Sequence, residues 1–331
     1  MRTVRLSIIG FGAVGQGVAK VLLAKKDQLE DIGLDLRVVA IADSRTAVID
    51  TDGVDLGAVI SRKKTEKTVG SQDMTGLEII EKIDHELVVE TTPTNIVTGG
   101  AGLENMFMAF RKGRDVVTSN KGPLAVKYKE LMEASKLSGS KFRFEATVGG
   151  AMPVLNLTKD SLAGNRITDV EGIFNGTCNY ILTRMTEEHA PYEQMLAEAQ
   201  ELGYAETDPT YDVEGIDTAC KLVILANCVF GMNATYEDVT VTGITKITPE
   251  ALLLAHNDGY VIKLIGEVND SRINVAPKLV PIGHPLAVAG SLNVASVQTD
   301  LSGPITVTGR GAGSIETASA ILSDLISIYR N

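Results

Sequence analysis

Between Gly203 and Lys221 the chain reads GYAETDPTYDVEGIDTACK, which sets Glu206, Asp208, Asp212, Glu214 and Asp217 with Lys221 inside an otherwise apolar region. Burying charge is unfavourable unless each charge is paired, so the run points to chemistry. Leu202-Gly203 reads as a helix end, residues 206 to 214 as a turn-rich loop, and Asp217 with Lys221 as an i, i+4 pair on the next helix. On an exposed face that pair would be routine, but Ala219, Leu222, Val223 and Leu225 mark a buried one. A lysine held near a carbonyl oxygen can supply the proton needed as hydride reaches the carbon, and a neighbouring carboxylate keeps it charged and oriented. Glu206 and Asp212 suit a substrate ammonium group. Together they describe a reductase for an amino-acid-derived aldehyde or ketone.

A hydride donor needs its own site, and Gly10-Phe11-Gly12-Ala13-Val14-Gly15 supplies the pattern G-x-G-x-x-G between the strand-like VRLSIIG and a helical periodicity through Val14, Val18, Val21 and Leu22. In that setting the glycines allow a tight turn, close approach of a pyrophosphate and close helix packing. Asp43 ends the next strand pattern and is the expected ribose partner, set further along than usual by a long first helix. Ser44 and Arg45 follow it, and an arginine there can clamp a 2′-phosphate, with Arg62, Lys63 and Lys64 adding positive charge. The pattern therefore admits NADP or NAD and leans to NADP. Thr92 and Pro93 in TTPTN, and Lys121 in SNKGP, follow two further strand patterns and are expected over the cofactor.

These residues must be positioned by a sheet. Apolar runs at VRLSIIG, LRVVAIA, ELVVET, DVVTSN and KFRFEATV alternate with helical stretches and read as strands covered on both faces. The expectation is an α/β chain with a Rossmann-type doubly wound parallel sheet over residues 1–149. Past Gly149, ITDVEGIF, YVIKLIGEV and RINVAPKLV read as antiparallel strands, with helices near 192 to 202 and 217 to 230. They predict an α+β catalytic and dimerisation domain over 150–302, while the segment from about 303 to 331 packs back on the first domain.

A length of 331 residues suits two such domains. The net charge of −11, from 31 basic and 42 acidic residues, argues against a nucleic-acid or anionic-membrane partner. Cys178, Cys220 and Cys228 are odd in number and lack C-x-x-C spacing, which fits a reducing compartment. The apolar stretch LSII is too short for a signal peptide and no window approaches ~18 apolar residues, so a cytoplasmic enzyme is expected. No histidine lies close to Cys178, which reads as a buried or pocket-lining thiol rather than a nucleophile.

With GFGAVG, SNKG, EATVGGAMP, GIFNGTCNYIL, the 203 to 221 run and GRGAGS in one order along the chain, the sequence resembles homoserine dehydrogenase. The resemblance implies NAD(P)-dependent interconversion of L-aspartate 4-semialdehyde and L-homoserine in threonine and methionine biosynthesis, by a homodimer. It implies Lys221 as general acid or base beside Asp217, and Lys121 between nicotinamide and substrate. Glu206, Asp212, Thr177 and Tyr204 would contact the amino acid, and Gly311 and Gly313 the cofactor. A sodium ion would be held by Glu145 and the carbonyls of Val148, Gly150 and Met152, which no ligand spacing would have suggested. The chain departs from the family pattern at Glu316, where proline is common, and at Tyr211, where a second acid is common. No regulatory domain is expected beyond residue 331. Two other readings stay open: a dehydrogenase of another amino acid, and a dinucleotide sensor without chemistry.

Overall fold

A computed structural model describes residues 1–330. The chain forms two units, Met1–Thr147 joined by the segment from Gly313 onward, and Val148–Ala312.

The first unit opens with β1 (Arg2–Ile9), α1 (Ala13–Ala24), α2 (Lys26–Asp31), β2 (Leu34–Ala42), β3 (Ala47–Ile49), α3 (Leu56–Glu66) and α4 (Gly76–Lys82). It continues with β4 (Leu87–Glu90), α5 (Gly100–Arg111), β5 (Asp115–Thr118), α6 (Lys121–Ser138) and β6 (Phe142–Arg143). The sheet order is β3-β2-β1-β4-β5-β6, all parallel except the antiparallel edge pair β2–β3. The chain order reverses between β1 and β4, the crevice where such sheets take ligands. Strand β4 and the last four residues of β1 are buried on both faces, as expected for the mainly apolar strands of a covered parallel sheet. KFRFEATV yields only the two-residue β6, because Glu145–Thr147 wind into a 3₁₀ turn and Gly149 then takes φ +85°.

The second unit holds α7 (Val154–Asn156), β7 (Ile167–Ile173), α8 (Gly176–Glu188), α9 (Tyr192–Glu201), α10 (Thr210–Val213) and α11 (Ile216–Val229). After these come β8 (Thr240–Val241), α12 (Pro249–Asn257), β9 (Tyr260–Asn269), β10 (Arg272–Pro281), β11 (Leu292–Thr299) and β12 (Gly303–Arg310). Its sheet, β12-β11-β7-β9-β10-β8, is antiparallel except for the short β10–β8 pair. Helix α11 is buried from Asp217 to Asn227, which places Asp217 and Lys221 against a core, whereas Glu206, Asp208 and Glu214 of the same run are exposed.

The expected closing segment divides. Residues 303–310 are the edge strand β12 of the second sheet, paired to β11, whereas α13 (Ser314–Tyr329) packs its Ala318, Ile321, Leu325 and Ile328 into the core of the first unit. Strand β12 alternates half-buried and exposed residues, the period of a sheet edge, while α13 repeats its apolar positions at helical spacing. Residue 331, the last of that segment, lies outside the described residues.

Candidate active site

In the first unit the glycine loop is shaped by what side chains would hit. Gly10 has φ +95°, and a Cβ there would lie 2.6 Å from the Thr91 carbonyl; a Cβ on Gly15 would collide with the Gly10 carbonyl oxygen. A Cβ on Gly12 would meet nothing within 4 Å. Gly12 is also the N-cap of α1 and brings no side chain to the helix start, so the N–H groups there are left for an anion. Phe11 is buried in the core and contributes only backbone to the loop, while Ala13 is exposed and Val14 half-buried. The Ser314 hydroxyl at the start of α13 donates to the Ala13 carbonyl at 2.5 Å.

Asp43 follows the last residue of β2, and its carboxylate is already engaged. Oδ1 accepts the N–H groups of Arg45 and Thr46 at 2.8 Å, and Oδ2 accepts Lys63 Nζ at 2.6 Å. Burial works to raise its pKa, and Lys63 with the two N–H groups more than offsets that, holding it below the usual carboxylate range. Ser44 and Arg45 are exposed beside it.

At the carboxyl ends of β4 and β5 the loops carrying Thr92 and Lys121 are joined through Glu90, a fully buried residue. Thr92 donates its N–H to Glu90 Oε1 at 2.9 Å and its hydroxyl to the same oxygen. Asn120 donates to Thr92 Oγ1 at 3.1 Å and to the Pro93 carbonyl at 3.4 Å, while its own Oδ1 caps α6 through Gly122 N–H at 3.1 Å. Lys121, half-buried, is the first residue of that helix.

In the second unit Asp217 and Lys221 of the charged run are buried and Asp212 beside them is half-buried. Lys221 Nζ donates to Asp217 Oδ2 at 2.6 Å and to the Phe174 carbonyl at 2.5 Å; both charged residues are 7% exposed. The neighbour that completes the cluster is Asn175, the N-cap of α8, whose Nδ2 donates to Asp212 Oδ1 at 2.6 Å and to Asp217 Oδ2 at 3.0 Å. Asp212 has its pKa raised by burial and then by Asp217, against the pull of Asn175, Lys221 and Thr177. Thr177 donates to the Tyr204 carbonyl at 2.7 Å, and the Tyr204 ring lies 4.6 Å from that of Tyr180. Glu206 stands outside the buried cluster, exposed on a turn whose Glu206 and Thr207 carbonyls accept Gln200 Nε2 at 3.0 and 3.3 Å. Lys221, Asp217, Asp212, Thr177 and Tyr204 are therefore brought into one neighbourhood, with Glu206 at its solvent side.

Two family models match the chain: residues 10–145 the NAD binding domain of homoserine dehydrogenase, and residues 153–326 homoserine dehydrogenase itself. The chain belongs to the homoserine dehydrogenase family. It is 54% identical to the homoserine dehydrogenase of Methanocaldococcus jannaschii over 98% of both chains, and 37% identical to that of Bacillus subtilis, covering 74% of the latter. A crystal structure from Archaeoglobus fulgidus, provisionally assigned as a homoserine dehydrogenase, superposes with a TM-score of 0.94 at 48% identity, covering 99% of this chain and 100% of the other. A mutant of a hyperthermophilic archaeal homoserine dehydrogenase, solved in complex with NADPH, gives 0.87 at 27% identity, covering 98% and 97%. The chain is thus an NAD(P)-dependent oxidoreductase of this family.

Other residues singled out from the sequence fall at separate places. Cys178 is fully buried, gives its Sγ–H to the Asp212 carbonyl at 3.1 Å, and has its pKa pushed well up by burial, which unsuits it as a nucleophile. Tyr211, standing where a homoserine dehydrogenase often has an acid, places its hydroxyl 3.4 Å from Cys220 Sγ. Val148, Gly150 and Met152 lie on one tight turn with φ of +85° at Gly149 and +59° at Gly150; the Met152 carbonyl accepts Val154 N–H at 2.9 Å. A Cβ on Gly150 would collide with the Gly311 carbonyl, so this turn and the GRGAGS segment touch backbone to backbone. Gly313 is the N-cap of α13 with φ +131°, and Glu145, 3% exposed, offers its N–H to Asp324 Oδ2 at 2.9 Å. Among the described residues no group of three or more His, Cys, Asp or Glu gathers as a metal site. Asn175, Glu90 and Gln200 were not singled out beforehand; only Asn175 carried a signal, through the block NGTCNY.

Proposed function

We propose that this chain interconverts L-aspartate 4-semialdehyde and L-homoserine, in threonine and methionine biosynthesis, with Lys221 as general acid and base. One observation carries the reading: a buried lysine whose ammonium gives one proton to Asp217 and one to the Phe174 carbonyl. An ammonium has three donors, so the third N–H is left for a substrate oxygen. Bound nicotinamide supplies the hydride in reduction and takes it in oxidation. As the carbonyl oxygen gains charge, Lys221 passes its proton to that oxygen, and Asp217 stabilises and orients the ammonium beforehand. Asp212 and Glu206 bind the substrate ammonium, while Thr177 and Tyr204 line its pocket. Lys121 contributes a second positive group toward cofactor and substrate.

NADP is the favoured cofactor. A carboxylate already engaged by Lys63 is poorly placed to accept ribose hydroxyls, and Lys63 with Arg45 offers the charge a 2′-phosphate needs. A carboxylate and backbone carbonyls are hard-oxygen donors, so the sodium that the resemblance implies at Glu145, Val148, Gly150 and Met152 matches their chemistry. Melting in sodium against choline chloride at equal ionic strength tests this, with a higher midpoint in sodium expected. The working enzyme is a cytoplasmic homodimer joined through its second unit, in keeping with the sequence reading. No helix among the described residues is long and apolar enough to cross a membrane.

Initial rates with L-homoserine and each cofactor test the reading directly. Reduction of NADP by L-homoserine, faster than that of NAD, is expected. Turnover only with another amino alcohol would support the nearer alternative, and cofactor binding without any turnover would support a sensor.

A further inference from the structure

The geometry points to Asn175 as a positioning residue that lets two carboxylates work side by side, keeping Asp212 ionised for the substrate while Asp217 serves Lys221. This rests on the function proposed above and deepens it. Asn175 is 5% exposed, and each end of its carboxamide has a defined task. Its Oδ1 accepts the N–H of Cys178 at 2.9 Å, capping α8, which fixes the amide orientation and turns both N–H donors toward the acids. Those donors reach Asp212 on α10 and Asp217 on α11, segments 37 and 42 residues away in sequence.

The need for such a donor follows from what surrounds the acids. Asp212 faces Asp217, Lys221, Asn175 and Thr177, and Cys178 lies against its carbonyl, with Glu214 and Tyr192 also in electrostatic range of that thiol. Lys221, a cation in this set, sits on Asp217 at 2.6 Å. Two acids sharing a buried space tend to retain one proton between them, which would silence Asp212 toward a substrate ammonium. A neutral amide donating to both favours the doubly ionised state without adding a cation that would compete with that ammonium.

Asn175→Ser separates this role from the cap. Serine caps helices as well as asparagine does, so the hydroxyl serves Cys178 N–H, but it cannot bridge two acids. Asn175→Asp also preserves the cap and replaces the donors with a third negative charge. The expectation is a melting midpoint within a few degrees of wild type for Asn175→Ser. The acid limb of kcat/KM for L-homoserine should move up by about one pH unit or more, further for Asn175→Asp, with roughly tenfold lower kcat/KM at pH 7. NADPH binding should be unchanged. Titration of the Asp212 carboxyl by NMR in the full chain labelled with ¹³C-aspartate, read against Asp212→Asn, should show the same upward move without any substrate. That readout stands even if L-homoserine proves not to be the substrate. An unmoved Asp212 titration in both cap-preserving variants would overturn the role, however far their activity fell.

Discussion

The glycine loop of the first unit and the charged run of the second are built by opposite means. At residues 10–15 the work is done by absent side chains: Gly12 leaves open space above α1, and Gly10 and Gly15 are where they are because a Cβ would strike backbone. At residues 203–221 it is done by charges taken out of water, with Asp217 and Lys221 each 7% exposed and hydrogen-bonded to each other. A site made of vacancies tolerates changes in charge and fails on added volume. A site made of buried ions does the reverse, because each ion's energy depends on its partners.

Substitutions sharpen the contrast, beginning with the largest effect. Lys221→Ala should lower kcat by about 10²- to 10⁴-fold while NADPH binding, measured by fluorescence titration, stays near wild type. Gly15→Ala should do the opposite kind of damage. The added methyl must displace the Gly10 carbonyl, destabilising the protein by about 1–3 kcal/mol and weakening NADPH binding, with the pH dependence of the remaining turnover unchanged. Smaller is Lys63→Ala, which removes a cation from the 2′-phosphate region and frees Asp43 for a ribose, so the ratio of kcat/KM for NADP over NAD should fall by roughly tenfold.

A further test concerns Lys263, a buried cation outside the proposed chemistry, and reads stability rather than turnover. Its ammonium donates to Asn179 Oδ1 at 2.8 Å and Thr183 Oγ1 at 3.0 Å, and burial pulls its pKa down from 10.5 to about 8. The folded protein therefore holds this proton less tightly than the unfolded chain. The penalty is full below pH 8 and is relieved as pH rises toward 10.5, worth on the order of 3 kcal/mol over that window. In Lys263→Met that relief is absent. The stability of wild type minus variant, from urea melts, should climb between pH 7 and pH 10; a flat difference would show that the lysine is not desolvated as described.

What could be read from the sequence followed the range of the interactions. The glycine loop, its strand and α1 are contiguous, and Asp217–Lys221 is a single helical turn, so residue spacing sufficed for both. Strand β3 was missed because three residues carry no period, and β11 and β12 because their polar alternation resembles loop composition. KFRFEATV was read as a full strand because its apolar content is shared by a buried 3₁₀ turn, which Glu145 N–H anchors on Asp324. Asn175 bridging residues 212 and 217, and Lys63 engaging Asp43 from 20 residues away, depend on tertiary folding that no local pattern encodes. Asp43 itself was expected as a ribose acceptor, and only its partners show how fully its carboxylate is used.

Proton transfer by Lys221 is the central claim, and chemical rescue tests it most directly. Lys221→Ala leaves a space beside Asp217 that a small ammonium ion can enter, so turnover of L-homoserine should rise with added methylamine or ethylamine and follow the amine's basicity. Asp217→Ala, which keeps the lysine, should gain nothing from the same amines. A Lys221→Ala enzyme that binds cofactor and substrate yet responds to no amine, or that turns over normally without one, would contradict the account.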